Sequence, residues 1–334
     1  MGAPRLTLDV SQEPQRLAEP FRITGYVFTD MPVVVVRLRD GPLEGSGEAS
    51  GVYYLGDDVP AMTAAIESVR DVVETGTDRE TLRSLLPPGG ARNALDCALW
   101  DLEAKRYGQP VWALAGLRPP RPLVTTMTVG ADDPGVMAGK ARGYIQAQAL
   151  KLKLTGEAGL DAERVRAVRA ARPGVWIGVD GNQGFTPDSL DALMPALVET
   201  DVKLVEQPFA RGREADHDGF SSPIPVAGDE SLLSLADLEA AVGRFDVVNI
   251  KLDKCGGLTE GLAMAAEAKR LGMGVMVGNM VGTTMAMGPA FVLGQLCNIV
   301  DLDGPMFLAR DRTPSVSYEG GLISYPDGAW GAPA

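Results

Sequence analysis

The stretch Ala149-Leu150-Lys151-Leu152-Lys153-Leu154 places two lysines on one face of a strand and three leucines on the other. A strand alternates its faces with period two, so Lys151 and Lys153 point the same way. A lysine on an apolar strand is costly to bury unless it enters a polar site. Further on, Val247-Val248-Asn249-Ile250-Lys251 is a second strand of the same kind. Between the two lie Asp180-Gly181-Asn182-Gln183, Glu206-Gln207-Pro208 and Asp229-Glu230-Ser231, each after a short apolar run. The order Lys, Asp, Glu, Asp, Lys at successive strand ends is the pattern that decides the fold.

Outward from this stretch, apolar strands alternate with helix-length segments. Strands are expected at 123–129, 150–154, 175–180, 203–206, 224–228, 246–251, 274–278 and 297–302. That spacing is one β/α unit each. Such a succession predicts an α/β fold with a parallel (β/α) barrel, a modified TIM barrel, and not an open sheet. Residues 1–118 read as an N-terminal α+β capping domain. Its strands are expected at 5–10, 33–38 and 45–49, with a mobile loop at 24–30 and a Gly- and Tyr-bearing loop at 51–58. Helices are expected at 60–75 and 91–107, the latter on the spacing of Ala94, Leu95, Ala98, Leu99 and Leu102. Pro119-Pro120-Arg121-Pro122 is a stiff connection to the barrel domain, 119–304. The Gly/Pro-rich segment 305–334 is expected to return to the capping domain.

A chain of 334 residues, 45% apolar and 22% charged, suits a large globular core. A net charge of −13 argues against nucleic acid or an anionic membrane as partner. No signal-type apolar run follows Met1-Gly2-Ala3-Pro4-Arg5, and no stretch reaches membrane-spanning length. Cys97, Cys255 and Cys297 are scattered and odd in number, which suits a reducing cytoplasm. The one histidine, His217, sits in a polar segment and reads as solvated.

Active sites of such barrels lie at the C-terminal ends of the strands. With the barrel strands numbered one to eight, Lys153 falls on strand two, Asp180 on three, Glu206 on four, Asp229 on five and Lys251 on six. Three carboxylates on adjacent strands are hard oxygen ligands that suit Mg²⁺. Strands two and six stand opposite each other, so their lysines would flank whatever binds the metal. That arrangement fits removal of a proton next to a carboxylate, with the cation stabilising the enediolate. A lysine base needs a lowered pKa, which Lys151 beside Lys153 and a nearby cation would favour. A base on each face inverts the carbon.

These residues resemble the enolase superfamily, and within it the muconate-lactonising-enzyme subgroup, over nearly the whole chain. The lysine base with Mg²⁺ and an ene-diolate is a known pattern of that superfamily. The resemblance implies Asp180, Glu206 and Asp229 as metal ligands, Lys153 and Lys251 as the catalytic lysines, and Lys151 as an electrostatic auxiliary. Strand eight ends Val300-Asp301-Leu302-Asp303-Gly304-Pro305. An Asp-x-Asp pair there is similar to that of the dipeptide epimerases, in which it holds the substrate's α-ammonium. The resemblance therefore implies a dipeptide as small-molecule substrate, Asp301 and Asp303 as its binding residues, and a homo-oligomer. Ala-Glu epimerases carry a capping-loop arginine for the glutamate side chain. Aligned from Phe21, that position is Tyr26, which would stack on an apolar or cationic side chain. Tyr53 and Tyr54 in the next loop read as loop packing. The alternatives are an o-succinylbenzoate synthase, an N-acylamino acid racemase or a muconate-type cycloisomerase, and, outside catalysis, a metabolite-binding barrel.

Overall fold

The four valines Val33-Val34-Val35-Val36 have no exposed surface, because their strand is the middle one of three. In the computed structural model, which describes residues 6–23 and 25–334, β1 (Thr7–Glu13), β4 (Val33–Asp40) and β5 (Leu43–Ala49) form that antiparallel sheet. β2 (Arg16–Ile23) and β3 (Tyr26–Asp30) form a separate hairpin. The segment 24–30, expected as a loop, is therefore largely strand: Gly25 takes φ +78°, and Tyr26 pairs with Ile23 and Phe28 with Phe21. Residues 1–5, with Arg5 of the expected first strand, and Thr24 lie outside the described residues.

Helices α1 (Val59–Ser68) and α2 (Arg70–Glu74) cover 60–75, and α3 (Arg79–Leu85) is an additional helix. Asp58 and Asp78 cap α1 and α3, each accepting from a backbone N–H of the first turn at 2.9 and 2.6 Å. α4 (Gly90–Tyr107) is buried almost all round, since it lies between the capping sheet and the barrel. Gly45 and Gly47 of β5 let the backbones meet: a Cβ at Gly47 would stand 2.1 Å from the Ala94 carbonyl oxygen.

The barrel strands are Thr126–Val129, Ala149–Lys153, Trp176–Asp180, Leu204–Glu206, Val226–Gly228, Val247–Ile250, Gly274–Val277 and Ile299–Val300, parallel and in chain order. The expected strand 123–129 is split. Leu123–Val124 pairs with Leu322–Ile323, and only Thr126–Val129 enters the barrel. Side chains bridge the seam between strands eight and one. Thr125 Oγ1 accepts from the Leu302 amide at 2.9 Å, Asp303 accepts from the Thr128 amide at 2.6 Å, and Thr126 donates to Asp301.

The C-terminal segment contacts the N-terminal strands and α4. Gly331 bonds Val111 and Asp101, and Arg312 pairs with Glu48 at 2.7 Å and Glu13 at 2.8 Å. His217 is not solvated: it is buried between the rings of Phe209 and Phe245, each 4.6 Å away. Among the described residues, no helix is long and apolar enough to cross a membrane.

Candidate active site

Lys151 and Lys153 are both buried and line one cavity with Lys251, Asp301 and Asp303 at the C-terminal mouth of the barrel. Its volume is about 60 Å³. The opposite wall comes from the hairpin and the following loop: Phe21, Ile23, Phe28, Met31 and Tyr53. Tyr26 does not line it; its ring packs behind, 5.8 Å from Phe28 and 4.7 Å from Tyr53. Phe28 is the β3 side chain that lines the lysines' cavity, beside Phe21 and Ile23 of β2. A larger cavity, about 300 Å³, lies beneath the C-terminal segment, but Arg121 and Asp327 are its only charged lining residues. The smaller one gathers the buried lysines with Asp301 and Asp303.

The acidic strand ends are shaped by tight turns. Asn182, Gln183 and Gln207 take φ of 41°, 68° and 33°, a costly backbone region for residues other than glycine. Gln207 braces the next strand end, its Oε1 accepting from the Asp229 amide at 2.8 Å and the Ser231 amide at 3.1 Å. Asp180, Glu206 and Asp229 have no exposed surface.

Each carboxylate faces an ammonium. Lys153 Nζ donates to Asp180 at 2.6 Å and Lys251 Nζ to Asp229 at 2.7 Å. Lys151 bonds Asp301 and stands 3.4 Å from Glu206 Oε2 and 3.7 Å from Asp180. Lys254, buried, donates to the other Asp229 oxygen at 2.6 Å. With the ammoniums interleaved in this way, no three described His, Cys, Asp or Glu side chains form a metal-holding cluster.

The donor set still fits a hard divalent cation. Three buried carboxylates come from adjacent strands, and Glu206 Oε2 accepts no hydrogen bond. Burial, then the charge of Asp180, pushes the Glu206 carboxyl up to about 7. Burial, then Asp229, pushes neighbouring Glu230 up to about 8. So many buried carboxylates raise one another's pKa, and a cation among them relieves that repulsion.

Lys151 and Lys251 show no lowered pKa. Burial disfavours their ammonium, but Asp301, Glu206 and Asp180 hold Lys151 well above its ordinary value, and Asp229, Glu206 and Glu230 do the same for Lys251. Burial and the adjacent Asp301 push Asp303 up to about 7, whereas Lys151 and Thr126 outweigh burial at Asp301 and hold it low.

Sequence reasoning missed Lys254, three residues after Lys251 and so on the same side of one helical turn. It also gave no role to Asn249, which donates to Glu206 Oε1 at 2.7 Å, although Asn249 and Lys251 share a face by period two. Asn182 likewise donates to Glu230 at 3.2 Å.

Comparison with known proteins identifies the family of the chain. Residues 5–116 match the mandelate racemase / muconate lactonizing enzyme N-terminal domain, and residues 136–331 match the enolase C-terminal domain-like family. The L-Ala-D/L-Glu epimerase of Escherichia coli (strain K12) is 38% identical over 317 residues, covering 95% of this chain and 99% of that one. An enolase family member from Agrobacterium tumefaciens, with homology to dipeptide epimerases and solved with sodium and L-Ala-L-Glu, superposes with a TM-score of 0.93 at 41% identity over 96% of this chain and 98% of that one. The dipeptide epimerase of Methylococcus capsulatus, solved with Mg and L-Arg-D-Lys, gives 0.89 at 30% identity over 96% and 97%. The chain thus belongs to the enolase superfamily, carries its mandelate racemase / muconate lactonizing enzyme domains, and is an isomerase of the racemase and epimerase kind that acts on amino acid derivatives.

Proposed function

We propose that the protein is a Mg²⁺-dependent dipeptide epimerase that inverts the α-carbon next to the C-terminal carboxylate. The observation that carries this is the pair of buried lysines, Lys153 and Lys251, entering one cavity from strands two and six with carboxylates beneath them. Asp180, Glu206 and Asp229 would hold the cation, which supplies positive charge against the charge that develops on the substrate carboxylate as its α-proton leaves.

One lysine, entering as the free amine, takes the α-proton. The C–H pair moves towards the carboxylate carbon, and the other lysine, entering as ammonium, returns a proton from the opposite face. Asp180 and Asp229 orient the two amines through their 2.6 and 2.7 Å bonds. The apolar capping wall excludes water from the exposed carbanion. Asp303, beside Asp301 and pushed up to about 7 by burial, gains from a cationic partner, and the substrate's α-ammonium supplies one. The free thiols Cys97, Cys255 and Cys297 support a reducing compartment, the cytoplasm.

Phe21, Ile23, Phe28 and Met31 form the capping wall of the cavity, so an apolar substrate side chain is the better fit. A second reading, an acidic side chain, is favoured by the L-Ala-L-Glu bound to the Agrobacterium relative. A dipeptide library incubated in D₂O and read by mass spectrometry tests both. α-Deuterium is expected in dipeptides with apolar side chains and none after chelation. Exchange confined to N-succinylated amino acids would move the protein to the N-acylamino acid racemase reading.

A further inference from the structure

The turn Lys251-Leu252-Asp253-Lys254 carries three buried ionisable side chains in four residues. Both lysines reach Asp229, but Asp253 turns to the capping domain. Its Oδ1 accepts from the backbone amides of Ser50 at 2.9 Å and Gly51 at 3.0 Å. Those amides begin the loop that brings Tyr53 to the cavity wall. Gly51 takes φ +75°, and a Cβ there would stand 1.9 Å from the Asp57 carbonyl oxygen, so the chain leaves the anchor in one direction. Ser50 Oγ also donates to the Val281 carbonyl at 2.6 Å, and Val281 lines the same cavity. At the far end of the loop, Asp57 accepts from the Gly90 amide of α4 at 2.7 Å. The loop is thus held by the barrel where it starts and by the capping helix where it ends. Tyr53 in turn packs against Phe28 at 5.1 Å and Tyr54 at 5.1 Å, so its placement carries over to the hairpin wall.

We propose that Asp253 is a positioning residue: by holding the Ser50 and Gly51 amides it fixes Tyr53 against the substrate and ties the lid to the turn that presents Lys251. This rests on the reading of the cavity as the substrate site. A buried carboxylate with no such task is costly, and burial pushes this one up to about 7 even with two N–H donors on it. Its removal leaves two backbone donors without their acceptor.

Two readouts test the proposal on the full chain: hydrogen exchange of the peptide spanning 49–58, and steady-state kinetics with the best dipeptide from the library. In Asp253→Ala that peptide is expected to exchange about tenfold faster while the barrel-strand peptides keep their rates. KM is expected to rise about tenfold with kcat within about twofold. Asp253→Asn keeps an acceptor without the charge and is expected to show about threefold effects, which serve the same comparison if the alanine variant does not fold. In a Tyr53→Ala background, the substitution at Asp253 should change KM by less than about twofold, because its route to the substrate is already gone. Unchanged exchange across 49–58, or the full KM effect persisting without Tyr53, overturns the proposal. If the wild-type protein turns over no dipeptide, the functional reading fails, while the exchange result still decides whether Asp253 is the anchor.

Discussion

Asp303 lines the cavity, accepts from the Thr128 amide across the seam, and stands beside a second carboxylate. An ammonium brought there by substrate would have to shed its water, so removing the negative charge is expected to cost about 2–5 kcal/mol. Asp303→Asn keeps the acceptor for Thr128 and should lower kcat/KM for dipeptides by roughly thirtyfold to several thousandfold. The N-acetyl form of the same dipeptide has no ammonium to lose and should be affected far less; equal losses for both would remove Asp303 from the amino-end site. The side-chain wall gives a second residue-scale outcome. Phe28→Arg puts a cation where the substrate side chain is expected, so it should shift preference from apolar to acidic dipeptides, read as the ratio of their kcat/KM values. An unchanged ratio would mean that the side chain does not reach Phe28. The lysines and carboxylates were legible in the sequence because period two and strand order place them. Phe28 was not, because counting from Phe21 into a segment read as loop gave Tyr26, whereas the β2–β3 pairing puts Tyr26 behind Phe28.

At the scale of elements, short range favoured the reader and long range did not. The barrel strands announced themselves by apolar runs at regular spacing, and the structure has all eight within a few residues of expectation. Strand one was misjudged because Thr125 breaks it: its amide bonds Gly321 and its hydroxyl accepts from Leu302, both remote in sequence. The hairpin was missed for a similar reason, since a strand exists only with its partner. The contact of β5 with α4 was equally silent, although its glycines were visible. Gly47 lies against the Ala94 carbonyl, where a methyl has no room. Gly47→Ala should therefore destabilise the fold by about 1–3 kcal/mol, the range for overpacking a close contact. Urea denaturation checks this; a midpoint equal to wild type would show that the helix can retreat at no cost. Lys254 belongs to this scale as well. One turn after strand six sends Lys251 and Lys254 to Asp229 and Asp253 to the capping domain, and only Lys251 was predictable from alternation.

Across the whole molecule, the site exists because two differently built parts close on each other. The barrel supplies the lysines and carboxylates that line the cavity, and the N-terminal hairpin and loop supply most of its apolar wall. The two are joined by buried polar contacts that no local pattern foretells. Arg92 of α4 bonds the carbonyls of Cys255 and Gly256, and Asp96 accepts from Thr259 at 3.0 Å. Arg312 reaches Glu48 from the C-terminal segment. Lys153 and Lys251 line one cavity from strands two and six, and the proposed inversion requires them to reach the carbon from opposite sides. The most direct test follows the α-proton of each epimer of one good dipeptide in D₂O by NMR, for the wild-type protein, Lys153→Ala and Lys251→Ala. The wild type should exchange and invert both epimers. Each variant should exchange the α-proton of one epimer only, a different one for each lysine, and invert neither. Inversion by either variant at near the wild-type rate, or exchange of the same epimer by both, would contradict the two-sided arrangement.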